Sequence, residues 1–207
     1  KLMLELILGK YFNNFINKII ILILKFKGIK IGKGVFIKKS PYLKINGKIS
    51  NIIIGDNVEI LGKIDIRNRE NGKIIFQDGV IIEGDCRFVA AMEGVIEVKK
   101  NAIITKGAIM NGGGNIFIGE NSIIGPYNIF NANDHKIDKN IQIRKKEFIY
   151  GDIIIECNCW TGGYVSIKKD VTLGKGSVIG AHSFVTKNTN PYSINYGIPC
   201  IERSGRS

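Results

Sequence analysis

Histidine and cysteine are scarce in this 207-residue chain, and long apolar runs are missing. Two histidines, His135 and His182, cannot supply a three-histidine zinc site. Four cysteines, Cys86, Cys157, Cys159 and Cys200, are too irregularly spaced for a disulfide framework, and Cys157-x-Cys159 lacks the second pair a zinc site needs. Reduced, buried thiols are therefore expected. The longest apolar stretch, Ile19 to Leu24, is flanked by Lys18 and Lys25 and falls far short of the roughly 20 residues that cross a bilayer. No small-residue cleavage site follows it, so no secretory signal is evident. Acidic residues are also the minority, 18 against 30 basic, for a net charge of +12. Such a surplus suits nucleic acid, a membrane surface or an acidic ligand. The lysines read as scattered rather than clustered, unlike a nucleic-acid footprint. Ile, Lys and Asn are over-used together, as codon bias in an AT-rich genome would produce.

What the chain does contain is a repeat. From Ile155 onward an aliphatic or near-aliphatic residue returns at every sixth position: Ile155, Thr161, Ile167, Leu173, Ile179 and Val185. Four residues after each of the first five stands Cys159, Val165, Val171, Ser177 or Ser183, all small or β-branched, with turn formers between. The phase recurs upstream in Ile31-Gly32-Lys33-Gly34-Val35, Ile54-Gly55-Asp56-Asn57-Val58, Ile82-Glu83-Gly84-Asp85-Cys86 and Ile118-Gly119-Glu120-Asn121-Ser122. A period of six fits neither an α-helix nor a flat amphipathic strand. It fits an all-β solenoid whose coils hold three short strands joined by tight turns, with aliphatic ladders running down the axis. Glycine and asparagine suit the corners, which favour unusual backbone angles.

The remaining segments organise around that solenoid, expected at 29–189. Residues 1–28 carry apolar positions at helical spacing (Leu4, Leu8, Tyr11, Phe12, Phe15, Ile19, Leu22), predicting a helix that caps the open coil. A basic amphipathic helix resting on a membrane surface is the alternative. Between about 131 and 152 the phase breaks, and a loop thrown out of a rigid solenoid is usually functional. The tail, 190–207, holds Pro191 and Pro199 and is expected to leave the coil after Asn188.

The phase-breaking loop carries His135 directly after Asp134. Histidine is the side chain whose ordinary pKa suits proton abstraction near neutrality. His182 falls at a repeat corner and reads as structural.

These residues resemble the hexapeptide-repeat acyltransferases, especially the maltose and galactoside O-acetyltransferases and the transferases of capsule and lipopolysaccharide gene clusters. The resemblance runs from Ile31 to Ile201. It is densest at His135, Cys159-Trp160-Thr161-Gly162-Gly163, Val171-Thr172-Leu173-Gly174 and Ile179-Gly180-Ala181-His182-Ser183-Phe184-Val185-Thr186-Lys187, and ends in Gly197-Ile198-Pro199-Cys200. It implies a left-handed parallel β-helix, a homotrimer with sites in the clefts between copies, and acetyl-CoA as co-substrate with no metal. It implies His135 as general base, with Asp134 near the imidazole and Asn111 near the acceptor or oxyanion. Trp160 would lie beside the cleft, and Gly162, Gly163 and Ala181 would follow the pantetheine arm. Thr186 and Lys187 would stand near the adenine and phosphates. His182 departs from the glycine usual after Ala181, and the N-terminal helix differs from that of the disaccharide enzymes.

The expected activity is transfer of acetyl to a sugar hydroxyl of a bacterial surface polysaccharide or its precursor, in the cytoplasm or at the inner face of the membrane. The expected partners are acetyl-CoA and a carbohydrate acceptor, not nucleic acid. Two rivals stand: an N-acetyltransferase acting on an amino-sugar nucleotide, and a non-catalytic scaffold in which His135 has no role.

Overall fold

The computed structural model of the protein describes residues 2–137, 139, 140, 142 and 147–206, with side chains of the first helix from residue 14 onward. Asp138 and the basic run 144–146 of the expected insertion lie outside the described residues, as do the side chains of Leu4, Leu8, Tyr11 and Phe12.

Over the described residues the chain is a left-handed parallel β-helix of seven coils preceded by one helix, Leu2–Phe26. The first coil comprises Lys30–Ile31, Phe36–Ile37 and Tyr42–Ile45, and the last complete one Val171–Leu173, Val178–Ile179 and Phe184–Val185. Each coil gives one strand to each of three sheets.

The hexad residues point inward and stack in register. On the first sheet the ladder is Ile31, Ile54, Phe76, Val98, Ile118, Ile155 and Leu173. The second runs Ile37, Ile60, Ile82, Ile104, Ile124, Thr161 and Ile179. The third runs Leu43, Ile66, Phe88, Met110, Phe130, Ile167 and Val185. All are buried except Ile31 and Leu43 at the edge of the first coil, which are partly so. Phe76 and Phe88 meet edge-on across the interior, centroids 5.0 Å apart.

Three residues after each first-sheet ladder position the backbone turns left-handed. Asn57, Asn101, Asn121 and Asn158 hold φ between 55° and 60° there, and Gly34, Gly79 and Gly176 fill the position in the other three coils. Asparagine and glycine tolerate that region at least cost, which is why they punctuate the repeat.

Thr161 is the polar member of the second ladder, and its hydroxyl explains it. Its Oγ1 accepts from the Gly125 amide at 3.1 Å and from Asn128 Nδ2 at 2.6 Å, while Asn128 Oδ1 accepts from the Val165 amide at 2.7 Å. Asn128 occupies the small-residue position beside the second corner and is buried.

The expected departure of the chain after Asn188 does not occur. Thr189 bridges to Leu173, and Ser193–Tyr196 joins the second sheet beside Val178–Ile179 before turning back into Ile201–Gly205. Pro191 sits at a corner and Pro199 in the turn beyond, so neither interrupts a ladder that needs its N–H.

The helix closes the other end. Ile20 and Leu24 are buried against the first coil, and Asn17 reaches its strand edge. Asn17 Oδ1 accepts from the Ile37 amide at 2.7 Å and Nδ2 donates to the Val35 carbonyl at 3.3 Å, pairing backbone groups that no coil covers.

Asn128→Ala strands the buried Val165 amide and takes from the Thr161 hydroxyl one of its two hydrogen bonds. Removing such partners costs about 1–3 kcal/mol per group. Urea unfolding should show a loss of about 2 kcal/mol, with Thr161→Val adding less than its separate effect in the double variant. Additive losses would show the two side chains to be independent.

Candidate active site

Coils lengthen at one corner only, the one linking the third sheet to the first. Ile154 pairs with Thr172, eighteen residues on, the minimum for three hexads. Ile53 pairs with Ile75 and Ile75 with Glu97, each twenty-two on, and Phe117 with Ile154, thirty-seven on. The last excess is the expected insertion. Its base is an antiparallel ribbon, Asn133–His135 against Phe148–Tyr150.

Gly112-Gly113-Gly114 of the preceding coil receives this ribbon. The Tyr150 ring lies where a Cβ on Gly113 would stand, so a side chain there would push the ribbon off the coil. Ribbon pairing sets His135 opposite Phe148, with ring centroids 4.5 Å apart. Among the described residues nothing hydrogen-bonds either imidazole nitrogen, and no bond joins it to Asp134.

His135 and Asp134 line a hollow of about 760 Å³ between ribbon and third sheet, whose floor includes Asn131, Ser166, Lys168, Phe184 and Thr186. Asn111, Asn131 and Lys168 share one outward column of that sheet. Asn111 Nδ2 donates to Asn131 Oδ1 at 3.0 Å. Asn111 itself faces a second hollow of about 430 Å³ across the ribbon, with Arg69, Arg87, Phe148 and Tyr150. The Arg87 Nε is buried without a hydrogen-bond partner, 3.8 Å from the Asp65 carboxylate. Lys169 is paired with Asp170 at 2.6 Å, whereas Lys168 has no ion-pair partner among the described residues.

The other predicted residues stand elsewhere on the surface. Trp160 points outward from the second sheet between Ile123 and Val178 and is half exposed. Gly162, Gly163 and Ala181 form the second corner. A Cβ on Gly162 would lie 2.6 Å from the Ala181 amide, so the small pair is required for these coils to stack. His182 follows with φ 58°, its ring parallel to that of Tyr164 at 5.0 Å, and Tyr164 stacks in turn on Tyr127. Lys187 is exposed beyond Thr186. One copy thus unites His135, Asp134 and Thr186, sets Asn111 behind the ribbon, and leaves Trp160, Gly162, Gly163 and Ala181 around a corner.

Asn131, Lys168, Phe148 and Tyr150 were not singled out from sequence. Asn131 occupies the position of Asn111 one coil later, a signal available by counting. The aromatic pair lies where the hexad phase is broken, although the three consecutive glycines mark where something must lie against the coil.

No group of three or more His, Cys, Asp or Glu that could hold a metal ion occurs among the described residues. Three of the four thiols are poorly suited to act as nucleophiles. Burial pushes Cys86 up to about 11 and also raises Cys159 and Cys200. Cys159 Sγ donates to the Gly174 carbonyl at 3.2 Å inside the coil.

Comparison with known proteins agrees with this geometry. Residues 152–187 match the family described as bacterial transferase hexapeptide (six repeats). Galactoside O-acetyltransferase of Escherichia coli (strain K12) is 37% identical over 86 residues, covering 41% of each chain. A hexapeptide-repeat-containing acetyltransferase from Vibrio cholerae, solved with acetyl coenzyme A, superposes with TM-score 0.51 at 32% identity, covering 54% of this chain and 61% of that one. An N-acyltransferase from Bacillus cereus, solved with dTDP-4-amino-4,6-dideoxyglucose and coenzyme A, shares the fold over 89% of this chain and 87% of its own, with TM-score 0.60 at 21% identity. The chain spans between 25% and 41% of the length of the curated relatives it matches. Repeat, coil geometry and matches make the chain similar to the hexapeptide-repeat acyltransferases, with the sequence match to the family confined to residues 152–187.

A raised thiol pKa keeps the proton on sulfur at neutral pH, and reactivity grows only as pH climbs toward the shifted value. Iodoacetamide at pH 8 should therefore spare Cys86 and Cys159 in the folded protein while both react after unfolding, as mapped by mass spectrometry. Rapid native labelling of Cys159 would contradict its burial.

Proposed function

We propose that the protein transfers acetyl from acetyl-CoA to a sugar hydroxyl of a bacterial surface polysaccharide or its precursor. The observation that carries this reading is the His135 imidazole, exposed on a ribbon that breaks the repeat and walls the larger hollow. Galactoside O-acetyltransferase, named for transfer to a hydroxyl, supports the chemistry. Phe148, Tyr150, Arg69 and Arg87 offer rings and cations to a glycan from the second hollow.

In this reading His135 takes the proton of the acceptor hydroxyl as that oxygen attacks the thioester carbonyl. The C–S bond then breaks, and the departing thiolate recovers the proton from the imidazolium as free coenzyme A. Backbone amides at the cleft hold the oxyanion. Transfer is direct, with no acetyl-enzyme. Asn111 acts through Asn131, and Asp134 contributes negative potential to the hollow. Lys168 and Lys187 offer charge to coenzyme phosphates, Thr186 packs beside them, and the Gly162, Gly163 and Ala181 corner lets the pantetheine arm approach beside Trp160. These groups occupy two sides of one solenoid, so a homotrimer that lays one copy's corner against the next copy's ribbon completes the site. The reaction runs in the cytoplasm, beside its coenzyme.

The test is thiol release from acetyl-CoA with a panel of neutral glycans, acidic glycans and amino sugars. Acceptor-dependent release should fall about 10²- to 10⁴-fold in His135→Ala, the usual worth of a general base. Unchanged activity would overturn the assignment. An amino sugar as sole acceptor would establish N-transfer instead, and an acetyl group trapped on the protein would sink direct transfer.

A further inference from the structure

The charge of this protein is not evenly spread. Between Glu5 and Asp56 lie ten lysines and no acidic residue, so +10 of the net +12 sits in that fifty-residue stretch. Lysines that look scattered along the sequence are in fact clustered, because folding gathers the stretch into the helix and first two coils. Those described from Lys18 to Lys48 are exposed, and among the described residues none is ion-paired.

The same end carries an unpartnered apolar face. On the helix, Ile16, Asn17, Ile20, Ile21 and Leu24 turn toward the first coil. Phe15, Ile19, Leu22, Ile23 and Phe26 occupy the roughly opposite face at i, i+4, i+7, i+8 and i+11. Leu22 is 70% exposed and Phe26 93% exposed. Lys18 and Lys25 rim this face. Capping and surface binding, rivals when only spacing is considered, use different sides of one helix.

We propose that this face lies on an anionic membrane surface, its apolar side chains entering the headgroup boundary while the surrounding lysines meet lipid phosphates. A row of large aliphatic and aromatic side chains inside a lysine field fits a bilayer interface; the lysines would meet any phosphate, but the apolar row calls for acyl chains beneath them. The contact is along the surface: among the described residues no helix is long and apolar enough to cross a membrane. His135 emerges after the fifth coil, roughly 20 Å from the first at the usual strand spacing. The docked solenoid therefore holds its larger hollow clear of the headgroups. This inference is independent of the acetyl-transfer reading.

The full chain should co-sediment with vesicles of phosphatidylcholine plus phosphatidylglycerol and remain free with phosphatidylcholine alone, and binding should weaken as salt rises. Leu22→Glu with Phe26→Glu should weaken binding at least about ten-fold. Both sites are exposed, so the melting temperature and circular dichroism should not change. Lys25→Glu with Lys27→Glu should reduce binding to the same vesicles. Absence of co-sedimentation, equal binding to neutral vesicles, or binding untouched by the apolar pair would each overturn the proposal. Loss of an oligomer in the apolar variant, seen by light scattering without any vesicle binding, would assign the face to a second copy.

Discussion

Everything in this molecule depends on coil-to-coil register. Each strand hydrogen-bonds to the one a full coil earlier and a full coil later, so a residue's neighbours lie eighteen or more positions away. That constraint makes the left-handed corner unavoidable, because each coil must turn sharply at the same place. It also makes the interior a set of columns instead of a single mixed core. A column accepts a polar member only where the next column supplies its partner, as Asn128 does for Thr161. The helix obeys the same rule at the open end, where Asn17 pairs the Ile37 amide and the Val35 carbonyl that no preceding coil can reach.

Rigidity of this kind concentrates variation. Two corners of the coil cannot change length without destroying the ladders, and the third absorbs every difference between coils. The ribbon bearing His135 is the largest such excess, and it sits on coils already widened at the same corner. Gly112 to Gly114 let it lie close to the backbone, so the hollow inherits the precision of the solenoid on one side and the reach of a loop on the other. The second corner contributes in a different way. Tyr127, Tyr164 and His182 stack along it in a left-handed conformation usually left to glycine or asparagine, and their rings form a polar-edged aromatic spine beside Ala181.

The solenoid was legible because its determinants are local and repeated: one inward residue in six, one small residue four later, one corner residue three later. The base candidate His135 was legible by scarcity and by its place in a break of phase. Features that need three-dimensional counting were not. Asn131 becomes visible beside Asn111 only once coil lengths are known, since the spacing shifts from twenty-two to twenty to thirty-seven. The tail misled because its prolines suggested an exit, whereas Ser193–Tyr196 is proline-free and offers its N–H groups to one more rung. The lysine field does not show in any short window of sequence, where its members stand apart. What matters is fifty residues without a carboxylate, wound into one end of a stack.

That asymmetry follows from the architecture. A globular fold mixes distant parts of its sequence, so a bias in one segment is diluted over the surface. A solenoid maps sequence order onto position along an axis, and a compositional shift becomes a physical pole. Here the first fifty-five residues make a basic end bearing an exposed apolar helix face, while His135 and its hollow belong to the fifth coil onward. Separation along the axis lets the two ends change independently: substitutions among the early lysines leave the corner at Gly162 and Ala181 untouched, and the ribbon can vary without disturbing the helix. A stack whose rungs are locked by register can thus carry surface attachment at one end and chemistry at the other, with no linker or second domain between them.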